Sequence, residues 1–343
     1  RNIHIIKMPK LKAINTKYLY FITRMINYFL YQIIFLFYFS IKQKAKIDLF
    51  YGYEIEFIPS LSLLSKILKK PFVSRFQGTI LHPLMKKKFW KLKYFPHYFS
   101  IKQNANLTIM TDDGTKGDTV INKIRNTLNN TLFLKNGIDF LKIDNNEIST
   151  QVEDLVGSMK NYKFNFISVS RLQKWKRVDR SIEVFEKFQD IHKNCRYIIV
   201  GEGITKKELK DSVISKKLQE DIIFTGGMDA LEVNYLMSKS DIFLSHYELS
   251  NVGNPLWEAI NNNCLIVTLN NGDTGKIIID NVNGIISNED KYLDNSNKLI
   301  NLMKNISDID SIVTNATNTL NQNVSSWEKR MQLEYEKVNK YFE

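Results

Sequence analysis

The chain has 343 residues, 43% of them hydrophobic, with a net charge of +12. Those values fit two domains of ordinary size with real cores and exclude a globally disordered chain. Its two cysteines, Cys195 and Cys264, have no metal-ligand spacing, and its five histidines form no HExxH array. They assign no zinc site and read as two buried thiols in a reducing compartment.

The chain opens at Arg1, and Asn2–Met8 reads at once as a strand, which leaves room for a further strand ahead of it. Residues 18–39 are strongly apolar and aromatic, long enough to admit a membrane span. Arg24, Asn27 and Gln32 interrupt the run, so the expectation is a sheet-covering helix with one face at a bilayer surface. No small-residue cleavage site follows, which argues against a signal peptide. Ile47–Tyr53, Pro71–Phe76, Asn106–Thr111 and Thr131–Asn136 read as strands, with helices over Pro59–Leu68 and Gly117–Thr127. Strands alternating with helices predict a parallel sheet covered on both faces.

From Leu141 to Lys160 the strand pattern is lost, and Val152, Leu155, Val156 and Met159 recur at helical spacing. A second sheet is predicted through Phe166–Ser170, Tyr197–Gly201, Ile222–Thr225, Ile242–Ser245 and Leu265–Leu269. The clearest helix is Asp179–Gln189, with an apolar stripe of Ile182, Val184, Phe185 and Phe188. Ser325-Ser-Trp-Glu328 offers a capping box for a terminal helix reaching about Tyr341. The resulting boundaries are 1–158, 159–325 and 326–343.

Charge is unevenly spread: residues 1–150 hold 24 Lys and Arg against 9 Asp and Glu, and residues 151–343 hold 24 against 27. An anionic partner for the first half is implied. Lys42–Lys46, Lys69–Lys70 and Lys86–Lys93, the last interleaved with Phe89, Trp90 and Tyr94, fit a patch for an anionic membrane surface. No nucleic-acid-binding motif accompanies them. A solvated basic face is the plainer alternative.

Two stretches carry the chemistry. A buried strand, Asp241–Ser245, opens in His246–Ala259 through a glycine-containing loop into a helix that starts near Asn254 or Pro255. Proline suits that first turn, and the free N–H groups and helix dipole there attract anions. Glu258 lies one turn in, where two carboxylate oxygens suit a vicinal diol such as a ribose; the alternative is a surface glutamate. In Ser170–Asp179, Arg171, Lys174, Lys176 and Arg177 follow another buried strand around Trp175. A guanidinium fork and an ammonium suit a diphosphate, and Arg171 and Lys176 are the better placed. Lys174 and Arg177 read as solvated. Gly201-Glu202-Gly203 lacks the third glycine of a dinucleotide site. Asp112-Asp113 does not form a DxD metal motif; Asp308-Ile309-Asp310 does, in a polar helical stretch read as solvated.

Together these stretches resemble the C-terminal half of family 4 retaining glycosyltransferases, from Phe166 to Ile286. The matching segments are SRL…WK, IVGEG at Ile199–Gly203, FTGGMD at Phe224–Asp229, GNPLWEA at Gly253–Ala259 and Asn283-Gly284. RFQGT (Arg75–Thr79), DDGTKGD (Asp112–Asp118) and KNGID (Lys135–Asp139) match more weakly. The resemblance implies the GT-B fold: two Rossmann-like domains facing across a cleft, with a C-terminal helix crossing back to the first. It implies transfer of a sugar from a nucleoside-diphosphate sugar to a glycan or lipid-linked acceptor hydroxyl. Neither metal nor cofactor is expected, and the setting is cytoplasmic, peripheral on the inner face of a membrane. Arg171 and Lys176 would hold the diphosphate. The base would lie at Phe224–Met228, with Gly226, Gly227 and Met228 around it. Val252, Gly253, Asn254, Pro255, Leu256 and Glu258 would complete the donor site. The family's first glutamate, eight positions before Glu258, falls on Ser250; Glu248 lies two residues upstream as a substitute. Gln77, Gly78, Thr79, Asp112 and Asp113 would face the acceptor, although the glycines also suit plain turns and the aspartates helix caps. Ser250 keeps open a non-catalytic nucleotide-sugar-binding or scaffold subunit, and epimerisation at the nucleotide is a third reading.

Overall fold

The computed structural model describes residues 32–42, 47–139 and 147–341. The expected strand at Asn2–Met8, residues 18–31 of the apolar run, and Lys44 and Lys46 lie outside them. The chain divides into two compact units. One takes the described residues as far as Asp112, Gly117–Leu134, and those from Gln332 on; the other takes Asp113–Lys116 and Lys135–Met331.

In the first unit, β1 (Phe50–Tyr53), β2 (Phe72–Phe76), β3 (Leu107–Thr111) and β4 (Thr131–Leu134) form a sheet in that order, every pair parallel. β2 and β3 are buried along their whole length, as expected of a sheet covered on both faces. The helix after β1 spans Glu54–Leu68 and so starts five residues ahead of Pro59. Proline inside a helix removes the N–H that would bond the carbonyl four residues back. Here Ser100 Oγ donates to that carbonyl, Ile55 O, at 2.7 Å, which lets the helix run through. The apolar run continues as the helix Gln32–Lys42. Among the described residues no helix is long and apolar enough to cross a membrane. Residues from Gln332 on belong here: Glu334 pairs with Arg75 at 3.5 Å, and Tyr341 OH donates to Asn106 O at 2.8 Å.

In the second unit, β5 (Phe164–Val169), β6 (Cys195–Val200), β7 (Ile222–Gly226), β8 (Ile242–Ser245), β9 (Leu265–Leu269) and β10 (Ile285–Ser287) form a parallel sheet. Its order is β10-β9-β8-β5-β6-β7. The sixth strand, β10, escaped the sequence reading because it is only three residues long, all buried. Val152, Val156 and Met159, on the helix Thr150–Met159, bury in the same core as Ile167, Ile198 and Ile266. By contacts the second unit begins at Lys135, whereas the boundary expected from the sequence lies after residue 158. The helix Val178–Gln189 buries its predicted stripe. The terminal helix runs Trp327–Asn339, and its cap is one residue later than expected: Lys329 N donates to Ser326 Oγ at 3.3 Å. Both cysteines are buried and free. Asp308 and Asp310 are exposed on the helix Ile306–Asn323.

Candidate functional site

In the second sheet β5 pairs with β6 on one side and with β8 on the other. The chain proceeds outward in opposite directions from β5 and β8, so the sheet has its switch point between them. In open parallel sheets, ligands bind beyond the carboxyl ends of the strands at such a point. The two chemistry-bearing stretches, Ser170–Asp179 and His246–Ala259, leave the ends of these adjacent strands.

Two glycines bring the loops together. A Cβ on Gly201, at φ +139°, would meet Ser170 O at 1.9 Å, and one on Gly203 would meet Leu172 O at 2.1 Å. Leu172 N donates to Glu202 O at 2.8 Å, Ser170 N to Val200 O at 3.1 Å, and Gly201 N to Gly226 O at 2.8 Å. Gly226 is itself left-handed at φ +86°, with Glu202 Oε1 2.9 Å from where a Cβ would stand. Met228 is half-buried beside exposed Gly227, ahead of the helix that Asp229 caps through Glu232 N at 2.9 Å.

The cations of the β5 loop fall into two groups. Arg177 is occupied, bonding Asp179 Oδ2 at 2.7 Å and reaching Glu248 Oε1 at 3.4 Å. Arg171 and Lys176 make no ion pair among the described residues, although each lies in the other's field. Two adjacent basic groups without an ion-paired carboxylate repel each other and leave a place for an anion. Burial lowers the Lys176 ammonium to about 7; Arg171 adds to that, and Asp113 opposes it.

The β8 loop is fixed from below. His246 is fully buried between Ser181 Oγ, 2.8 Å from Nδ1, and Asn295 Nδ2, 3.1 Å from Nε2. Asn295 Nδ2 is a donor only, so Nε2 accepts and the proton sits on Nδ1. The helix Asn254–Asn261 then begins after Gly253, with Pro255 in its first turn. The sequence suggested several free amides there, but Pro255 has none. Gly253 N already bonds Asn251 O, while Leu256 N and Trp257 N bond Gly253 O. The amide of Asn254 and the helix dipole remain. Asn254 Oδ1 accepts from Asn136 Nδ2 at 3.0 Å, leaving its own side-chain N–H groups to donate. Leu256 packs in the core, and Glu258 is half-buried one turn on. Burial, then the charge of Asp139, raises the Glu258 carboxyl above its ordinary value. Asp139 carried no signal as a neighbour of Glu258 in the sequence.

Neither Ser250 nor Glu248 is an uncommitted acid. Ser250 is buried; its Oγ donates to Asp113 O at 2.7 Å and accepts from Val252 N at 3.1 Å. Gly114 and Gly272 close around it: a Cβ on Gly114 would lie 2.4 Å from Ser250 Oγ, and Asp273 N donates to Gly114 O. The residue thus ties the Asp113–Lys116 loop into the second unit. Asp113 accepts from Thr115 N and Thr115 Oγ1 through Oδ1, which shapes the turn. Ser250→Ala is expected to strand Val252 N and Asp113 O and to destabilise the unit by about 1–3 kcal/mol. Thermal unfolding measures it, and an unchanged midpoint would deny the tie.

The remaining acceptor-side candidates lie in the first unit, beyond the ends of β1 to β3. Gln77 is a hub there: its N–H donates to Glu54 Oε1 at 2.6 Å, its Nε2 to Tyr53 OH at 2.5 Å, and its Oε1 accepts from Thr111 at 3.3 Å. Gly78, at φ +97°, makes the turn, and Thr79 Oγ1 accepts from Leu81 N at 3.1 Å. Asp112 N donates to Leu134 O at 2.9 Å, so its backbone extends the ladder of β3. Glu54, missed in the sequence, has a left-handed backbone (φ +62°) and a carboxyl raised chiefly by burial.

Residues 157–319, within the second unit, match the family model Glycosyl transferases group 1. An alpha-monoglucosyldiacylglycerol synthase of Acholeplasma laidlawii is 29% identical over 147 residues, 42% of this chain and 37% of that protein. An uncharacterized glycosyltransferase of Methanocaldococcus jannaschii is 26% identical over 200 residues, 58% of this chain and 50% of that one. The chain thus spans half or less of the length of these curated relatives. Among solved structures, Anabaena HepE in complex with UDP and glucose superposes with a TM-score of 0.69 at 19% identity, covering 88% of this chain and 80% of that one. A glycosyltransferase from Rickettsia africae gives 0.70 at 16% identity, covering 98% and 85%. The fold, α/β with two Rossmann-like parallel sheets, is that of GT-B glycosyltransferases.

Proposed function

We propose that the protein is a retaining, hexosyltransferase-like enzyme of family 4 that moves a sugar from a nucleoside-diphosphate sugar to an acceptor hydroxyl. The observation that carries this is the pair of unpaired cations, Arg171 and Lys176, beyond the switch point of the second sheet. The departing nucleoside diphosphate gains negative charge in the transition state. Arg171, Lys176, the Asn254 amide and the dipole of its helix are preplaced to receive that charge. Glu258 accepts from the ribose hydroxyls, and the backbone at Gly226–Met228 lies against the base. The UDP complexes of HepE, a protein of the same fold, support such a donor. A panel of nucleoside-diphosphate sugars, assayed by mass spectrometry for transfer and hydrolysis, tests the reading. The carboxylate-free Ser250 favours one alternative, a binding subunit; donor bound by the full chain with neither transfer nor hydrolysis would establish that instead.

Gln77, Tyr53 and Glu54 present hydroxyl-binding groups for the acceptor. A lipid-linked acceptor is supported by likeness to a glycolipid synthase and by the surface around Phe89. Phe89 has left-handed backbone and is 70% exposed; Leu92, on the same turn, is 75% exposed. Exposed Lys86, Lys87, Lys88, Lys91 and Lys93 flank them. Apolar tips between ammonium groups suit the boundary of an anionic leaflet, here the inner face of a membrane, where each lysine contributes about 1 kcal/mol. Replacing Lys86, Lys87 and Lys88 by glutamine is expected to weaken retention on anionic vesicles at low salt by on the order of 10²-fold. Equal retention of variant and wild type in a flotation assay would dismiss the docking surface.

A further inference from the structure

Lys176 is held between two aromatic faces. Its Nζ lies 4.2 Å from the centroid of the Trp175 ring and 3.6 Å from that of Tyr247. The two rings meet edge to face at 6.1 Å and 72°. Tyr247 is buried and fixed at both ends: its hydroxyl donates to Val169 O at 3.1 Å and its amide to Asn251 Oδ1 at 2.9 Å. Glu248 N donates to Trp175 O at 3.0 Å, which joins the two ring-bearing segments.

The charged groups around this amine are few. Arg171, on the same loop, disfavours the ammonium, and Asp113, from the Asp113–Lys116 loop, favours it. Glu258, from the helix Asn254–Asn261, acts on Tyr247. Glu248 is committed to Arg177. A cation over aromatic faces gains about 0.5–2 kcal/mol, roughly one pH unit of added basicity. Loss of water around the ammonium works the other way and is larger: burial is the leading cause that brings the group down to about 7.

We propose that Trp175 and Tyr247 form an aromatic clamp that strips water from the Lys176 amine, so that capture of the donor diphosphate is coupled to uptake of one proton at Lys176. The step balances simply. The neutral amine takes a proton from the acid form of the buffer as the dianionic diphosphate arrives: the buffer's bond to that proton breaks, one N–H bond forms, the conjugate base stays in solvent, and the ammonium donates to a phosphate oxygen. The proton returns to solvent when the nucleoside diphosphate leaves. Trp175 and Tyr247 are positioning residues; they act through Lys176. This inference rests on the donor reading above.

The sign follows from linkage. The anion raises the amine's proton affinity, so binding is complete below about pH 7 and weakens as pH rises above it, by up to about tenfold per unit. UDP is the probe, titrated calorimetrically into the full chain between pH 7.5 and 9, in buffers of different protonation enthalpy. Wild type is expected to take up close to one proton per UDP and to lose affinity about tenfold per unit. Lys176→Arg, permanently charged, should bind UDP with a flat pH profile. Tyr247→Phe, which keeps the ring, should behave as wild type, and Tyr247→Ala, which lets water reach the amine, should move the fall in affinity upward. UDP binding by wild type with no proton uptake and a flat profile overturns the clamp and leaves the donor site standing. No UDP binding by wild type at any pH overturns the donor reading and the clamp with it.

Discussion

Lys176→Ala is expected to lower sugar transfer by about 10²–10³-fold, with Arg171→Ala acting in the same direction. Each removes one of two basic groups that make no ion pair among the described residues, and the charge they would meet develops as the nucleotide leaves. The fold should survive. Lys176 has no ion pair to lose, and the rings its Nζ lies over stay in place. Arg171 is exposed. Steady-state kcat/KM alongside thermal unfolding separates the two effects. Turnover within a factor of two of wild type in either variant would refute the phosphate assignment.

Gly201→Ala is expected to cost about 2–6 kcal/mol of stability. A side chain at φ +139° carries backbone strain of about 1–3 kcal/mol. Its Cβ would also stand 1.9 Å from the Ser170 carbonyl, and overpacking of that kind costs about 1–3 kcal/mol more. Relief requires the β6 loop to move away from Ser170, which would break the Leu172–Glu202 and Gly201–Gly226 bonds that set Arg171 in place. A lowered midpoint in denaturant, with UDP affinity reduced in whatever folds, is the expected pair of results. Wild-type stability would mean that the loops are not packed in this way.

The strands of both units were legible because buried parallel strands are short continuous apolar runs. The helices betrayed themselves by periodicity, as at Ile182, Val184, Phe185 and Phe188. Misreadings came where a distant atom decides the outcome. Pro59 reads as a helix start until Ser100 supplies the missing hydrogen bond to Ile55 O. β10 is too short to carry a pattern. At the site, Arg171 and Lys176 could be picked from the residue types suited to a diphosphate, and the structure adds that Arg177 is consumed by Asp179 and Glu248. No local pattern could reveal that Ser250 holds the Asp113 carbonyl, that Asp139 faces Glu258, or that Tyr247 covers Lys176. Each depends on a partner from another part of the chain.

A crystal structure of the full chain with UDP tests the central claim most directly. The diphosphate should lie within hydrogen-bonding distance of both the Arg171 guanidinium and the Lys176 ammonium, ahead of the Asn254 amide, with the ribose hydroxyls on Glu258. UDP bound elsewhere, or with its phosphates touching neither cation, would contradict it.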